Sequence, residues 1–569
     1  MFGFTYLKDN TSQYKMCDNI SQFAQVSLHN NICVNHMISK YEDDKVFFQD
    51  DDFIVVLDGV VLNKKQLIEE HRCVNWKDLI LKLYKESDTF FDVFRGSFAG
   101  MIYDKQKDKT IVFSDHIGTK FLYYVKLDEG IFVTSIMPNA YNFLQENHIP
   151  YSLSEESAYL LLSYGYMLED RTLCDKVKKL RPGCYLEITG TEVTEKRYCM
   201  LDNTPYESVT EAEAIELIDR EFRKAVALEF EKDKEYGYKH LVALSAGLDS
   251  RMTCWVAHDM GYTDQLNITF SQSDYWDETV PKQISSDLKH EWLFKALDNG
   301  LWLYDVDDVT KVTGGNVLYY GLAHGYSLYR NMNFKDYGMI HSGQLGDVVI
   351  GTWYSSKNAT TPFKFGDGAY SRDYLHLVKN IELEQFANQE IAMFYHRGFC
   401  GANNGQLFEM EYTETCSPFM NWDFMQAILK IPVELRYGHN IYKKWILSKY
   451  PGAAKYVWEK IGCKIDRKHG MINYKNHKVL IEDLPKKIFR RIYPCAQINK
   501  QNMNPIDYYL KNNKDLMDYI EHEIETCNIN AIKSKELRDI IGVSNPKPIV
   551  CIQLLSLVSA INIFYTQEK

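Results

Sequence analysis

Leu241-Val242-Ala243-Leu244-Ser245-Ala246-Gly247-Leu248-Asp249-Ser250 decides how this chain is organised. Four apolar residues read as a buried strand, a short loop of small residues follows, and a helix opens at about Ser250. That order builds a cradle for phosphate. Small residues let the backbone approach an anion, N–H groups at a helix start point at it, and the helix dipole favours its charge. The hydroxyls of Ser245 and Ser250 can add hydrogen bonds, and Asp249 can hold Mg²⁺ through an oxygen. No Gly-Lys-Ser/Thr follows, so the loop is not of the Walker type. The bland alternative is a glycine turn between strand and helix, which the surroundings must outweigh.

Outward from this loop the pattern repeats. Leu266 to Phe270 reads as a second buried strand, and Met339-Ile340-His341 as a third ending in Ser342-Gly343. Thr210 and Glu213 have the spacing of a capping box, opening a helix to about Glu229. Strands alternating with helices imply a parallel sheet that binds ligands beyond the strands' C-terminal ends. The first ~200 residues differ, reading as short strands and tight turns with a few helices. Phe53 to Leu57 is a strand with a turn signal at Asp58-Gly59, Trp76 to Glu86 has helical spacing, and Ser97–Tyr103 and Thr110–Ser114 look paired. The polar stretch near residues 200–209 divides the halves.

Several further segments occur in the order found in the glutamine-dependent asparagine synthetase family. Ser245 to Ser250 is similar to the pyrophosphate loop of enzymes that cut ATP between its α- and β-phosphates, with Ala246 in place of the first glycine. A Cβ there is cheap at negative φ and costs about 1 kcal/mol at positive φ. Tyr275-Trp276-Asp277-Glu278 resembles the family's Asp-Glu after the second strand. Leu288-Lys289-His290 resembles its Leu-Gly-x-x-His region, with His290 read as structural. Ser342-Gly343-Gln344-Leu345-Gly346-Asp347 resembles the second pyrophosphate loop, Ser-Gly-Glu-Gly-Ser/Ala-Asp-Glu, with Gly351 matching a later glycine. Gln344 replaces a glutamate that assists deprotonation of the attacking amine, and Val348 replaces the final acid; an amide is no base near neutral pH. Cys416 to Asn421 resembles a packing segment, Ile441 to Leu447 a helix carrying Lys443, and Trp458-Glu459-Lys460-Ile461-Gly462 the segment whose lysine steadies the charged transition state.

The front half agrees. Asp115-His116-Ile117-Gly118-Thr119-Lys120-Phe121-Leu122-Tyr123-Tyr124 and Arg95-Gly96-Ser97-Phe98-Ala99 resemble the family's amidotransferase domain. Its chemistry is missing. Where the family opens Met-Cys-Gly-Ile, this chain has Met1-Phe2-Gly3-Phe4, and a phenyl ring can neither attack an amide nor move a proton. The glutamine-holding Asn-Gly-Glu-Ile-Tyr-Asn is Asp58-Gly59-Val60-Val61-Leu62-Asn63, and Asp-Thr-Glu is Trp76-Lys77-Asp78. Loss of nucleophile and binding groups together points to an abandoned site. The resemblance spans residues 1–465; the tail from about 470 matches nothing identified.

The resemblance implies an α/β chain of two domains. Residues 1–200 would be a degenerate glutamine amidotransferase-like domain, an Ntn-hydrolase-like αββα sandwich. Residues 208–569 would be a ligase domain of the adenine-nucleotide α-hydrolase-like, PP-loop ATP pyrophosphatase type with a parallel sheet. The implied activity is an asparagine synthase-like, ATP-dependent carbon–nitrogen ligase that adenylates a small-molecule or peptide carboxylate for attack by an amine or ammonia, without glutaminase activity of its own. Its cofactors would be ATP and Mg²⁺. Ser245, Gly247, Leu248, Asp249, Ser250, Ser342, Gly343 and Asp347 would bind nucleotide, Asp249 and Asp347 the metal, and Lys460 and Lys443 would act in catalysis. A catalytically silent nucleotide-binding or scaffold homologue is the competing expectation, favoured by Ala246, Gln344 and Val348. Sulfur transfer to a nucleotide base is disfavoured by net charge and by the lack of a paired catalytic cysteine motif.

Bulk composition fits a globular chain of two or more domains: 569 residues, 45% hydrophobic and 25% charged. A net charge of -12 argues against non-specific nucleic-acid binding. Thirteen scattered cysteines give neither a zinc spacing nor a disulfide framework and suit a reducing cytoplasm. No secretory signal is expected. The apolar run Ile549–Tyr565, broken by Gln553, Ser556, Ser559 and Asn562, reads as a buried helix rather than a membrane span. Gln497 to Asn504 is amide-rich and reads as a loop. A homodimer is compatible with all of this.

Overall fold

A computed structural model describes residues 3–17, 19, 24–28, 30–467, 471–474, 477–480, 499–543 and 548–566. Phe2, at the nucleophile's position, and part of the amide-rich stretch lie outside these residues.

The front half is a sandwich of two six-stranded antiparallel sheets. One has the order β10(Lys178–Lys179)-β8(Tyr123–Leu127)-β9(Gly130–Thr134)-β1(Gly3–Asp9)-β3(Asn31–His36)-β2(Ala24–Leu28). The other runs β12(Glu192–Arg197)-β11(Cys184–Thr189)-β7(Lys109–Ser114)-β6(Gly96–Asp104)-β5(Phe53–Val61)-β4(Val46–Gln49). Successive side chains alternate across a strand. Phe4 and Tyr6 therefore meet Ile54, Val56, Met101, Val112 and Leu186 between the sheets. The outer faces are covered by helices. Val55 and Leu57 pack against Leu79, Ile80 and Leu83 of the helix Trp76–Glu86. Leu7 and Phe132 pack against Phe143 of Met137–Glu146 and Leu161 of Glu155–Tyr164. Each such apolar side chain contributes about 1.5–3 kcal/mol on burial.

One sequence expectation fails here. Asp58-Gly59 is no turn, because β5 runs through it to Val61 in register with β6, Asp58 opposite Ala99 and Gly59 opposite Phe98. Gly59 has φ +108°, and a Cβ on it would lie 2.2 Å from the Ser97 carbonyl oxygen. The glycine serves close strand approach rather than chain reversal.

The back half is built on a five-stranded sheet, β15(Glu291–Ala296)-β14(Gln265–Ser271)-β13(Lys239–Ala243)-β16(Tyr337–His341)-β17(Thr415–Cys416), with every pair parallel. β13 is central, so the loops after β13 and β16 are neighbours at one edge. The helix Glu211–Glu235 starts at the expected Thr210/Glu213 capping box and outruns its expected end at Glu229. Its last turns are held by buried partners. Asp233 accepts from Tyr41 (2.6 Å), while Asp44 draws Lys232 (3.2 Å) and Lys64 (2.6 Å). These contacts tie the helix to the front half.

The apolar C-terminal run forms the helix Pro548–Phe564, packed against Tyr141 and Leu160 of the front half. Three of its polar interruptions have partners inside the protein. Ser559 donates to Asp307 (2.7 Å), Ser556 accepts from the Tyr319 N–H, and Asn562 accepts from the Asn528 N–H. Among the described residues no helix is long and apolar enough to cross a membrane.

Candidate functional site

The loop after β13 closes on itself. The Ser245 N–H donates to Ser250 Oγ (2.9 Å), the two hydroxyls lie 2.8 Å apart, and the Gly247 N–H donates to Ser245 Oγ (3.2 Å). Gly247 caps the helix Leu248–Asp259 without a side-chain bond, so the first N–H groups of that helix open onto the loop. Ala246 is buried and absent from the left-handed region, which makes its Cβ cheap. Its N–H donates to Asp277 Oδ1 (2.7 Å), and burial pushes that carboxyl up to about 6. Leu248 contributes backbone alone, since its side chain lies in the core.

The loop after β16 lies directly on the first. A Cβ on Gly343 would fall 2.2 Å from the Ser250 nitrogen, and one on Gly346 would fall 2.8 Å from Asp249 Cγ. Both glycines are there for that contact. Between them Leu345 takes φ +65°, a left-handed conformation that costs a branched residue about 1 kcal/mol or more. Thr253 Oγ1 donates to the Ser342 carbonyl (3.1 Å), fastening the second loop to the first helix.

The two loops bring Asp249 and Asp347 together. Burial, and then the facing Asp347 carboxylate, hold Asp249 well above the usual carboxylate range. Tyr442 donates to Asp249 Oδ1 (2.8 Å), and Lys460 Nζ lies 3.5 Å from Asp347 Oδ2. Two oxygen donors crowded this way, lined by glycine backbone, fit a hard cation such as Mg²⁺. Lys460 stands on the turn closed by Trp458 N–H to Cys463 O (2.9 Å), with its ammonium 3.0 Å from His439 Nε2. Burial and then Lys460 push the His439 imidazole down to about 4. Lys443 lies on the helix Asn440–Lys449, next to Tyr442, and its charge also bears on His439.

Three contributors were not legible in the sequence. Buried Arg251 donates to the carbonyls of Ala246 (2.9 Å), Ala453 (3.1 Å) and Val457 (2.6 Å), tying the segment before Lys460 to the first loop. Tyr442 and His439 reach the site from one helix start. Helical phase could place Arg251 inward, but nothing local announces what it meets. His290, read as structural, meets Asn267 Oδ1 (3.0 Å) and His258 (2.8 Å). Gln344 is held by two hydrogen bonds: its amide donates to the Ala402 carbonyl and accepts from Gln406 (2.7 Å).

The front half holds a second cluster where glutamine-binding groups were expected to be missing. Asp58 pairs with Lys120 (3.1 Å), Lys120 with Glu414 (3.0 Å), and Glu414 with Lys45 (2.9 Å), all buried. Glu414 precedes β17, so the cluster joins the halves. A Cβ on Gly3 would meet Ser135 Oγ at 1.9 Å, which leaves no slack beside it.

The chain is similar to several known proteins. A glutamine amidotransferase domain family matches residues 41–199. A putative glutamine-hydrolysing asparagine synthetase 2 of Methanocaldococcus jannaschii is 25% identical over 347 residues, covering 56% of this chain and 63% of its own. The glutamine-hydrolysing asparagine synthetase 1 of Bacillus subtilis is 22% identical over 260 residues, covering 44% and 40%. Amidase chyE of Penicillium rubens is 25% identical over 224 residues, covering 37% and 32%. The chain thus spans less than two thirds of the length of these curated relatives. Among solved structures, the allosteric regulatory enzyme of purine biosynthesis aligns at 10% identity and TM-score 0.24, covering 52% of this chain and 74% of that one. Glutamine phosphoribosylpyrophosphate amidotransferase from B. subtilis aligns at 10% and 0.21, covering 71% and 79%. The amidotransferase domain and the synthetase relatives together support an assignment to the asparagine synthetase family, at low identity.

Proposed function

We propose that this chain is an ATP-dependent ligase that forms an amide. A substrate carboxylate oxygen attacks the α-phosphorus of ATP, the bond to the bridging oxygen breaks, and pyrophosphate leaves. An amine or ammonia then attacks the acyl carbon, AMP departs, and the nitrogen gives up a proton. Ser245, Gly247, Ser250, Ser342 and Gly343 cradle phosphate through backbone and hydroxyl groups. Asp249 and Asp347 would hold Mg²⁺, whose charge offsets that of the triphosphate. Lys460 opposes the negative charge that grows on the departing phosphates, and Lys443 adds positive charge nearby.

The observation that carries this reading is the pair Asp249 and Asp347, crowded together by two glycine contacts. Two carboxyls held this close can both ionise only at a cost, which a cation between them would remove. Gln344 cannot accept the proton of the attacking amine, so that proton leaves by another route. Phe2 and the Asp58 ion cluster support a chain without glutaminase activity, using free amine or ammonia in a reducing cytoplasm. No disulfide joins the described cysteines. A second reading, a silent scaffold, is favoured by the locked Gln344 amide and by Leu345 at φ +65°.

ATP–pyrophosphate exchange with Mg²⁺ and a panel of carboxylates including aspartate separates the two. Exchange with one acid, abolished by Asp249→Ala, supports the ligase and names its substrate. Absence of both exchange and ATP binding sinks it.

A further inference from the structure

Lys460 is a flexible, half-exposed side chain, yet the proposed chemistry needs its ammonium held in one place. Asp347 alone, at 3.5 Å, would hold it loosely and neutralise it. A second contact differs in kind. An ammonium has three donors and no acceptor, so His439 Nε2 at 3.0 Å must present a lone pair, and the imidazole carries its proton on Nδ1. A neutral acceptor orients a lysine without cancelling its charge.

The fold is arranged to put the ring there. His439 caps the helix Asn440–Lys449 in the left-handed region, φ +57°, which non-glycine residues seldom adopt but histidine tolerates better than most. Its Nδ1 edge lies over Gly351, where a Cβ would come within 2.9 Å. The ring packs edge-on to Trp458, 5.7 Å between centroids, two residues from Lys460. Three residues further along, Tyr442 binds Asp249, so one helix start addresses both carboxylate loops.

We infer that His439 is a positioning residue that aims the Lys460 ammonium at the phosphates while leaving its charge unspent. The inference rests on the ligase reading above. Its test is exchange kinetics with His439→Ala, His439→Gln, Lys460→Ala and the double variant. His439→Ala should lower the exchange kcat by about 10- to 30-fold, with KM for ATP changed less than about threefold. His439→Gln, which keeps an acceptor, should recover most of that loss. The double variant should be no slower than Lys460→Ala, because one residue acts through the other. Additive losses, a rise in KM alone, or no recovery by glutamine overturn the inference.

Wild-type protein that exchanges nothing would instead count against the ligase reading. His439 is then judged by acetic anhydride labelling of Lys460, followed by peptide mass spectrometry. Labelling at least about threefold faster in His439→Ala supports the contact, and equal rates overturn it.

Discussion

Two of the charge clusters in this molecule are opposites. Where the front half meets β17 of the back half, Asp58, Lys120, Glu414 and Lys45 are two acids and two bases, each paired and with buried side chains. In the back half, Asp249 and Asp347 are acids facing one another, with one half-exposed lysine beside them. The first cluster is electrically closed and has nothing left to offer a ligand. The second is open: on the proposed reading, its energy would fall if a cation bound between the two acids. A closed cluster can serve only as structure, whereas an open one can still take a ligand.

The largest effect should come from emptying the open cluster. Asp249→Ala should lower pyrophosphate exchange by at least about 100-fold. Stability should stay within about 1 kcal/mol of wild type, since the lost Tyr442 bond is offset by relief of repulsion. A melting temperature that fell sharply would make Asp249 structural and erase the contrast. The closed cluster should behave in reverse. Lys120→Met removes the charge shared by Asp58 and Glu414 and should cost about 3–5 kcal/mol in denaturant melts. Exchange per folded molecule should not change.

Acid and alkali should sharpen the same distinction. Burial alone would raise the Glu414 carboxyl, but Lys120 and Lys45 outweigh it and hold the group below its ordinary 4.5. Its stabilisation is present above pH 4.5 and is lost as pH falls below that. A third buried network, under β16, has the other sign. His341 bonds Asp233 (2.7 Å) and Glu229 (3.0 Å); burial would lower its imidazole, yet these acids carry it up to about 9. Burial likewise takes Glu229 up to about 7. Both favour the protonated folded state, so the Glu229 contribution should fall as pH rises from 4.5 towards about 7 and the His341 contribution from 6.5 towards about 9, by a few kcal/mol at most. Melting temperatures from pH 6 to 9.5 test this, and His341→Leu should flatten the slope.

Local pattern carried much of the architecture. The helix Trp76–Glu86, the capping box at Thr210 and the strand–loop–helix around Ser245 follow from periodicity and short-range hydrogen bonding. What local pattern could not give is what arrives from elsewhere. Asp58-Gly59 has the composition of a turn, but β6 already occupies the pairing edge and the strand continues. Glu414 and Arg251 look like ordinary surface charges until the fold surrounds them. His439 is 21 residues from the lysine it touches. The two acids of the candidate site stood out because glycine loops announced them; their neighbours had no such signal.

Gln344→Glu is the smallest and most pointed change, because it restores the acid expected of the family at that position. A carboxylate there could still accept from Gln406, but it could not donate to the Ala402 carbonyl, which would be left facing a negative charge. The expected cost is about 1–3 kcal/mol of stability, with no gain in amide formation. The side chain is engaged with that carbonyl and with Gln406, so a base placed on it is not expected to serve the attacking nitrogen. A rise in amide formation with unchanged exchange would mean the side chain swings into the site. The loss of the acid would then be a step in catalysis given up, and the back half would resemble the front more than its open carboxylates suggest.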